Sequence, residues 1–187
     1  MSSRAGFVLA GGASSRMGRD KALLPWLGST LVEVVAARVF EAAGSVTLVG
    51  PPDRYSDIPI AMVPDLRPGL GPLAGIETAL EQTAADWNLI LACDMPAVTT
   101  AFLRELLDRA ERLNPDCLAP IVPSGRLQPL CAVYHRRCLE PFRAALDSGT
   151  RSITDALGTI AVLRHPVDTE TLFANLNTPA DLATHDD

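Results

Sequence analysis

An α/β fold, with a mostly parallel sheet between two layers of helices, is what this sequence predicts on three observations. Short, strongly apolar runs at residues 6–10, 46–50, 60–63, 89–93 and 118–122 have the length and composition of strands buried on both faces. Longer amphipathic stretches at 31–43, 73–83 and 100–113 separate them. Strands alternating with helices of that length build parallel sheets covered on both sides.

Each element has a local reason. The run 6–10 stops in a glycine-rich segment, so a first strand ends there. In the stretch 31–43, Leu31, Val34, Val35, Arg38 and Val39 keep a helical period, and Thr30 is a suitable N-cap. The helix at 100–113 has Thr99 or Thr100 in the same role. After residue 122 the rhythm changes. Pro123-Ser124-Gly125-Arg126 signals a turn, and residues 127–134 are expected to return antiparallel to the strand before it. A helix at 139–146, a shorter one at 152–157 and a strand at 160–163 follow. A closing helix at 179–183 is expected, with Pro179 in its first turn and Thr178 as its cap. The expectation is a Rossmann-like three-layer sandwich with a small antiparallel element in its C-terminal half. Without repeats, low-complexity tracts or linkers, residues 1–187 read as one domain. A chain of that length can bury about 70% of the surface it exposes when unfolded.

Charge narrows the ligand. The chain carries 16 basic and 22 acidic side chains, a formal charge of −6. Nucleic-acid binders usually show the opposite balance, so no nucleic-acid partner is expected. The four cysteines, Cys93, Cys117, Cys131 and Cys138, form no CxxC pair and no zinc spacing with His135, His165 or His185. They read as small buried residues of a reducing compartment. The run 6–10 is too short for the apolar core of a secretory signal, and no run reaches membrane-spanning length. A cytoplasmic protein with no membrane partner is the expectation.

The most informative stretch is Leu9-Ala10-Gly11-Gly12-Ala13-Ser14-Ser15-Arg16-Met17-Gly18-Arg19-Asp20-Lys21. Between Gly11 and Lys21 it holds three cations and one carboxylate, a local reversal of the overall charge. A buried strand that delivers free backbone N–H groups and cations suits a phosphate-rich ligand. It is not a Walker loop, because Gly18 comes one position too late after Gly12 and Arg19 stands where lysine is required. It is not a dinucleotide fingerprint either, for want of a correctly spaced third glycine. An ordinary turn would have little need of Arg16, Arg19 and Lys21 together. Of these, Arg19 is best read as solvated surface.

In a parallel sheet, ligands bind beyond the carboxyl ends of strands, where the strand order reverses. If the strands 6–10 and 89–93 are neighbours, the glycine segment and Asp94 face one crevice. Met95-Pro96 then ends the second strand. The alternative for Asp94 is a turn or helix-capping aspartate. The later segment Gly69-Leu70-Gly71-Pro72-Leu73-Ala74-Gly75 has the spacing GxGxxxG, which is not the dinucleotide motif. No GxSxG elbow occurs, which disfavours a serine hydrolase.

The first stretch, of the form LAGGxSxRMGxDKA, resembles the signature of the molybdenum cofactor guanylyltransferase (MobA) family, within the nucleotidyltransferase superfamily. Four further segments match in the same order. They are Gly71-Pro72-Leu73-Ala74-Gly75, Cys93-Asp94-Met95-Pro96, Gln128-Pro129-Leu130 with Ala132-Val133-Tyr134, and Asn175-Leu176-Asn177-Thr178-Pro179. The resemblance spans nearly the whole chain.

It implies transfer of GMP from GTP to the phosphate of Mo-molybdopterin, with release of pyrophosphate. The N-terminal half would hold the nucleotide and the C-terminal half mainly the acceptor. Two polyanions must meet in such a reaction, so Mg²⁺ and protein cations are needed. The resemblance implies Asp94 as the Mg²⁺ ligand. Arg16 and Lys21 are then candidates for the β- and γ-phosphates. Leu9, Ala10, Gly11 and Gly12 would line the nucleotide, with Asp65, Gly71 and Gly75 along its base and ribose. Gly75 could equally be a helix-packing glycine. Gln128, Asn175 and Asn177 are candidates on the acceptor side. Gln128 could instead be a solvated strand-edge residue, and the asparagines could cap the turn before Thr178-Pro179 or touch the metal. Arg151-Ser152 could bind the pterin phosphate or cap the short helix. Proteins that deliver or receive the cofactor are possible partners.

Two alternatives remain beside this reading. The cytidylyltransferase sister family carries Ala-Ala-Gly where this chain has Ala10-Gly11-Gly12, and GDQP-like residues where it has Cys93-Asp94-Met95-Pro96. A non-catalytic nucleotide- or cofactor-binding protein would have less use for Asp94 beside Arg16 and Lys21.

Overall fold

The structure, a computed structural model, describes residues 3–11 and 20–174. Strand β1 (Arg4–Leu9) leads to a 3-10 turn at Lys21–Leu23 and a short hairpin, β2 (Pro25–Trp26) and β3 (Ser29–Thr30). Helix α1 (Leu31–Ala43), strands β4 (Thr47–Val49) and β5 (Met62–Val63), and helix α2 (Pro72–Glu81) follow. Next come β6 (Trp87–Ala92), α3 (Thr100–Leu113), β7 (Cys117–Ile121) and β8 (Cys131–His135). The described part closes with α4 (Leu139–Asp147), α5 (Ile153–Leu157) and β9 (Val162–Pro166).

Seven strands form the main sheet in the order β5-β4-β1-β6-β8-β7-β9. All run parallel except β8, which is antiparallel to both β6 and β7. The two faces of each strand serve different layers. Val8, Leu48, Leu89 and Leu91 pack with α1 and α3, whereas Phe7, Val49, Ile90 and Tyr134 pack with α2, α4 and α5. Three layers result, as the alternation of elements predicts. No helix among the described residues is long and apolar enough to cross a membrane.

Helix α1 starts where the sequence places it. The Glu33 carboxylate accepts hydrogen bonds from the Thr30 amide at 3.0 Å and the Thr30 hydroxyl at 2.6 Å. That contact satisfies a donor the first turn leaves unpaired. Gly44 ends the helix in the left-handed region, φ 82°, with its N–H on the Phe40 carbonyl at 2.8 Å. Thr99, not Thr100, caps α3, accepting from the Phe102 amide at 3.3 Å.

Four expectations need adjustment. The sequence marks no strand at 25–30, yet β2 and β3 form a hairpin. Its two-residue turn, Leu27-Gly28, takes φ 48° and 80°, and a non-glycine at its first position hides the usual signal. The returning strand begins at Cys131 rather than 127, because Leu127 makes only an isolated bridge to Ile121. It also lies between β6 and β7, pairing with both, so it is an integral strand of the main sheet. The last strand slides to Val162–Pro166 to match Cys117–Ile121 of β7, residue for residue. The closing helix expected at 179–183 lies outside the described residues.

One glycine controls how closely α1 approaches the sheet. A Cβ at Gly6 would press into the Val39 side chain and lie 2.6 Å from the Ser45 carbonyl oxygen. Backbone cannot yield cheaply there, so Gly6→Ala should destabilise by about 1–3 kcal/mol. A urea titration with an unchanged slope and a lower midpoint is the expected result. A midpoint equal to that of the parent would show the contact to be relieved at no cost.

His165 on β9 carries a pH dependence. Burial lowers its pKa; Glu105, with a carboxylate oxygen 3.5 Å away, pulls upward and Arg109 pushes down. The unfolded chain therefore binds a proton at this site more readily than the folded one. Stability is full above the ordinary histidine pKa of about 6.5 and falls as the pH drops below it. Thermal melts between pH 7.5 and 5 should show that decline, and His165→Gln should flatten it.

Candidate functional site

The site is made by where two strands stop. β1 and β6 pair in parallel from Arg4↔Trp87 to Leu9↔Ala92, so their carboxyl ends are level. The chain continues from β1 to β4 on one side, while β6 lies on the other. This is the reversal point at which a parallel sheet opens a crevice. A cleft of about 230 Å³ occupies it.

The cleft gathers Leu9, Ala10, Gly11 and Lys21 from the glycine-rich stretch with Asp94 from the end of β6. Asp65, Gly71 and Gly75 line it from the α2 side. Eight positions separated by up to 85 residues in sequence thus converge on one space. Gly12, Arg16, Asn175 and Asn177 lie outside the described residues.

Asp94 sits just past the sheet. The Cys93 amide still donates to the Leu9 carbonyl at 3.2 Å, and the Ala92 amide to the Leu130 carbonyl at 2.8 Å. Asp94 is the next residue, and with Thr99 capping α3 it is not needed for that role. Burial raises its pKa, while its own backbone amide and Lys21 oppose the shift. Beside it the Cys93 thiol is pushed up to about 12, chiefly by burial, and so remains protonated at neutral pH.

Asp65 is held from behind. Its Oδ1 accepts from the Arg67 amide at 2.9 Å and lies 3.3 Å from the Thr78 hydroxyl. Thr78 is fully buried in α2 and in turn accepts from the Leu66 amide at 3.0 Å. Arg67 pairs with the buried Glu77 at 2.9 Å, and Arg143 of α4 approaches the same carboxylate at 3.5 Å. The loop carrying Asp65 is therefore tied to two helices. Gly75 does both things proposed for it: it lines the cleft, and a Cβ there would meet the Leu9 side chain at 3.3 Å.

Across the cleft, Leu130 is a wall residue and Gln128 is two positions away at the entry of β8. Gln128 is not a solvated edge residue, being only 6% exposed. Its amide donates to the Pro120 carbonyl at 2.9 Å, and its Nε2 has no partner among the described residues. A buried side-chain amide without a partner is costly. Arg151 and Ser152 are engaged in capping. The Ser152 hydroxyl accepts from the Asp155 amide, and Arg151 donates to the Leu146 and Thr150 carbonyls, both at 2.9 Å.

Residues 6–162 match the MobA-like NTP transferase domain. The chain belongs to that family. A probable molybdenum cofactor guanylyltransferase of Bacillus cereus is 38% identical over 84% of this chain and 80% of its own length. Another from Trichormus variabilis is 34% identical over 98% of this chain and 90% of its own. Among solved structures, molybdopterin-guanine dinucleotide biosynthesis protein A from Archaeoglobus fulgidus superposes with a TM-score of 0.82. It is 27% identical, with 96% of this chain and 95% of that one covered. The family thus agrees with the cleft about the reaction class, nucleotidyl transfer.

Sequence reasoning missed two groups behind the cleft. Tyr55, 2% exposed, places its hydroxyl 2.6 Å from the Ala10 carbonyl and 2.8 Å from Asp20 Oδ2. It stands between two short strands, in a stretch with no periodic pattern to draw attention. Thr78 looks like any polar residue of a helix until its burial is known. Asp20 was visible inside the first motif but carried no evident chemistry of its own.

The raised pKa of Asp94 has a thermodynamic counterpart. The folded chain holds that proton more tightly than the unfolded one, so stability is lost as the pH rises above the ordinary aspartate range. Asp94→Asn should therefore raise the melting temperature of the ligand-free protein at pH 7. An unchanged or lower value would contradict the assigned environment.

Proposed function

We propose that this chain transfers GMP from GTP to the phosphate of Mo-molybdopterin, forming molybdopterin guanine dinucleotide. The observation that carries the reading is the convergence of Gly11, Lys21, Asp65 and Asp94 on one cleft at the strand reversal. The names borne by the relatives supply the acceptor and the base.

In the reaction an oxygen of the acceptor phosphate attacks the α-phosphorus of GTP. The bond from that phosphorus to the β-phosphate bridging oxygen breaks, and pyrophosphate leaves with the electron pair. The acceptor monoester, with a second pKa near 6, is ionised at neutral pH and needs no general base. Lys21, with Arg16 as its proposed partner, stabilises the charge on the departing pyrophosphate. The backbone at Gly11 and Gly12 lets the phosphates approach the end of β1. Asp65, with Oδ1 turned to Arg67 and Thr78, directs its remaining carboxylate oxygen to donors on the base. Gly71 and Gly75 leave room beside it. Gln128 and the asparagines Asn175 and Asn177 serve the acceptor, which assigns the two halves of the chain to the two substrates.

Magnesium fits this donor set. Among the described residues no cluster of three or more acidic, histidine or cysteine ligands exists, which disfavours an all-protein cage. Mg²⁺ uses one or two carboxylates and takes its other ligands from phosphates and water, and Asp94 offers such a carboxylate. When bound, the ion would neutralise phosphate charge and polarise the α-phosphate. A cytoplasmic setting suits the four free cysteines, and delivery or acceptor proteins complete the proposal.

The deciding assay is pyrophosphate release with Mg²⁺ and Mo-molybdopterin, offered GTP, CTP, ATP and UTP in turn. Release with GTP is expected. Preference for CTP would overturn the base assignment, and no release with any nucleotide would overturn the reaction. Asp94→Ala should keep the fold and lose at least about 100-fold in turnover.

A further inference from the structure

One buried hydroxyl touches both ends of the glycine-rich stretch, and the cleft residues depend on where those ends are. Ala10 leaves β1 and is immediately followed by Gly11; Asp20 immediately precedes Lys21. Tyr55 contacts the carbonyl of the first and the carboxylate of the second. Ten positions apart in sequence, the two residues are joined through a single oxygen atom.

The rest of Asp20 is committed too. Its Oδ1 accepts from the Ala22 amide at 3.1 Å, which caps the 3-10 turn beginning at Lys21. Its Oδ2, facing Tyr55, is also 3.5 Å from the Arg54 guanidinium. The Asp20 carboxylate thereby sets the first turn of the segment that carries Lys21 into the cleft. On the other side, the Ala10 amide donates to the Val49 carbonyl at 2.9 Å. Gly50 packs so closely that a Cβ there would stand 3.4 Å from the Gly11 amide nitrogen. The chain after β4 thus supports both ends of the stretch, and Tyr55 is the group common to them.

Tyr55 is suited to this. Its ring belongs to the core on the α1 side of the sheet, the same core that holds Ala10, Ala22 and Leu48. Burial, followed by the hydrogen bond to Asp20, raises its pKa, so it stays a donor at any working pH. With one proton between two acceptors, the bond is shared and shifts if either acceptor moves.

We propose that Tyr55 is a positioning residue for the nucleotide triphosphate, acting through Ala10 and Asp20 to hold Gly11 and Lys21 in register across the cleft. Tyr55 does not line the cleft and is not a catalytic residue. The inference rests on the proposed nucleotidyl transfer and adds to it the source of the geometry at the phosphate end.

The test is Tyr55→Phe, which keeps the ring in its seat and removes only the hydroxyl. Calorimetric titration with Mg·GTP should show binding about tenfold weaker, with a melting temperature within about 4 °C of the parent. In steady state the KM for GTP should rise while the KM for the acceptor stays within twofold. Asp20→Asn should weaken GTP binding as well. The loss in the double variant should be smaller than the sum of the two single losses, because the Tyr55–Asp20 bond is common to both. Tyr55→Phe binding GTP within twofold of the parent overturns the inference alone. Equal losses for both substrates, or additive losses in the double variant, also overturn it, since they mark a general structural defect. A parent protein that binds no nucleoside triphosphate overturns the proposed function together with this inference.

Discussion

The parallel pairing of β1 with β6 is the constraint on which the site rests. Six residues of each strand are matched, and the match ends at Leu9 and Ala92. Both strands are buried, so a slip would not expose polar side chains as it would at a solvated sheet. It would instead exchange which residues meet the α1 layer and which meet the α2 layer. Phe7 and Val8 belong to opposite layers, as do Ile90 and Leu91. A slip of one residue would put Gly6 out of line with Val39 and α1. It would also set Gly11 and Asp94 at different heights. The register that fills the core is the register that aligns the chemistry.

Electrostatics take over where packing thins out. Asp65 lies in a loop between a two-residue strand and α2, with little apolar material to hold it. The buried Glu77 carboxylate supplies the anchor, flanked by Arg67 and Arg143. A buried charge that lost these partners would be strongly unfavourable, so each partner is held in place. The backbone of Arg67 meanwhile donates to Asp65. Fixing the guanidinium fixes the amide, and fixing the amide fixes the carboxylate at the cleft.

The layers and the cleft lining were largely legible because their signals are local. Leu31–Ala43 and Thr100–Leu113 are marked by period and caps, and the structure returns those same bounds. The glycine-rich stretch and Asp94 could be joined because the ends of buried strands meet in a parallel sheet. What escaped depends on distance in sequence. Tyr55 acts on residues 45 and 35 positions away, and nothing in its neighbourhood hints at either contact. The place of β8 between β6 and β7 is equally silent, since a turn signal shows that the chain reverses but not which strand it joins. The burial of Gln128, which rules out the alternative of a solvated strand-edge residue, is silent for the same reason: its backbone N–H bonds to Pro120 of β7, a strand the local sequence does not name.

The lone antiparallel strand has its own effect on how the molecule can vary. Because β8 runs against its neighbours, the segment 122–130 enters the sheet at the cleft end instead of leaving from it. One wall of the cleft is made by strand exits, β1 and β6, whose connections lead away into helices. The opposite wall is made by the connection between β7 and β8. Residues can be inserted or exchanged there without moving any of the six β1–β6 pairs. One side of the cleft is thus tied to the architecture of the sheet, and the other hangs from a loop. A lineage of such proteins can keep one wall of its cleft fixed by the sheet while the other wall changes in length and composition.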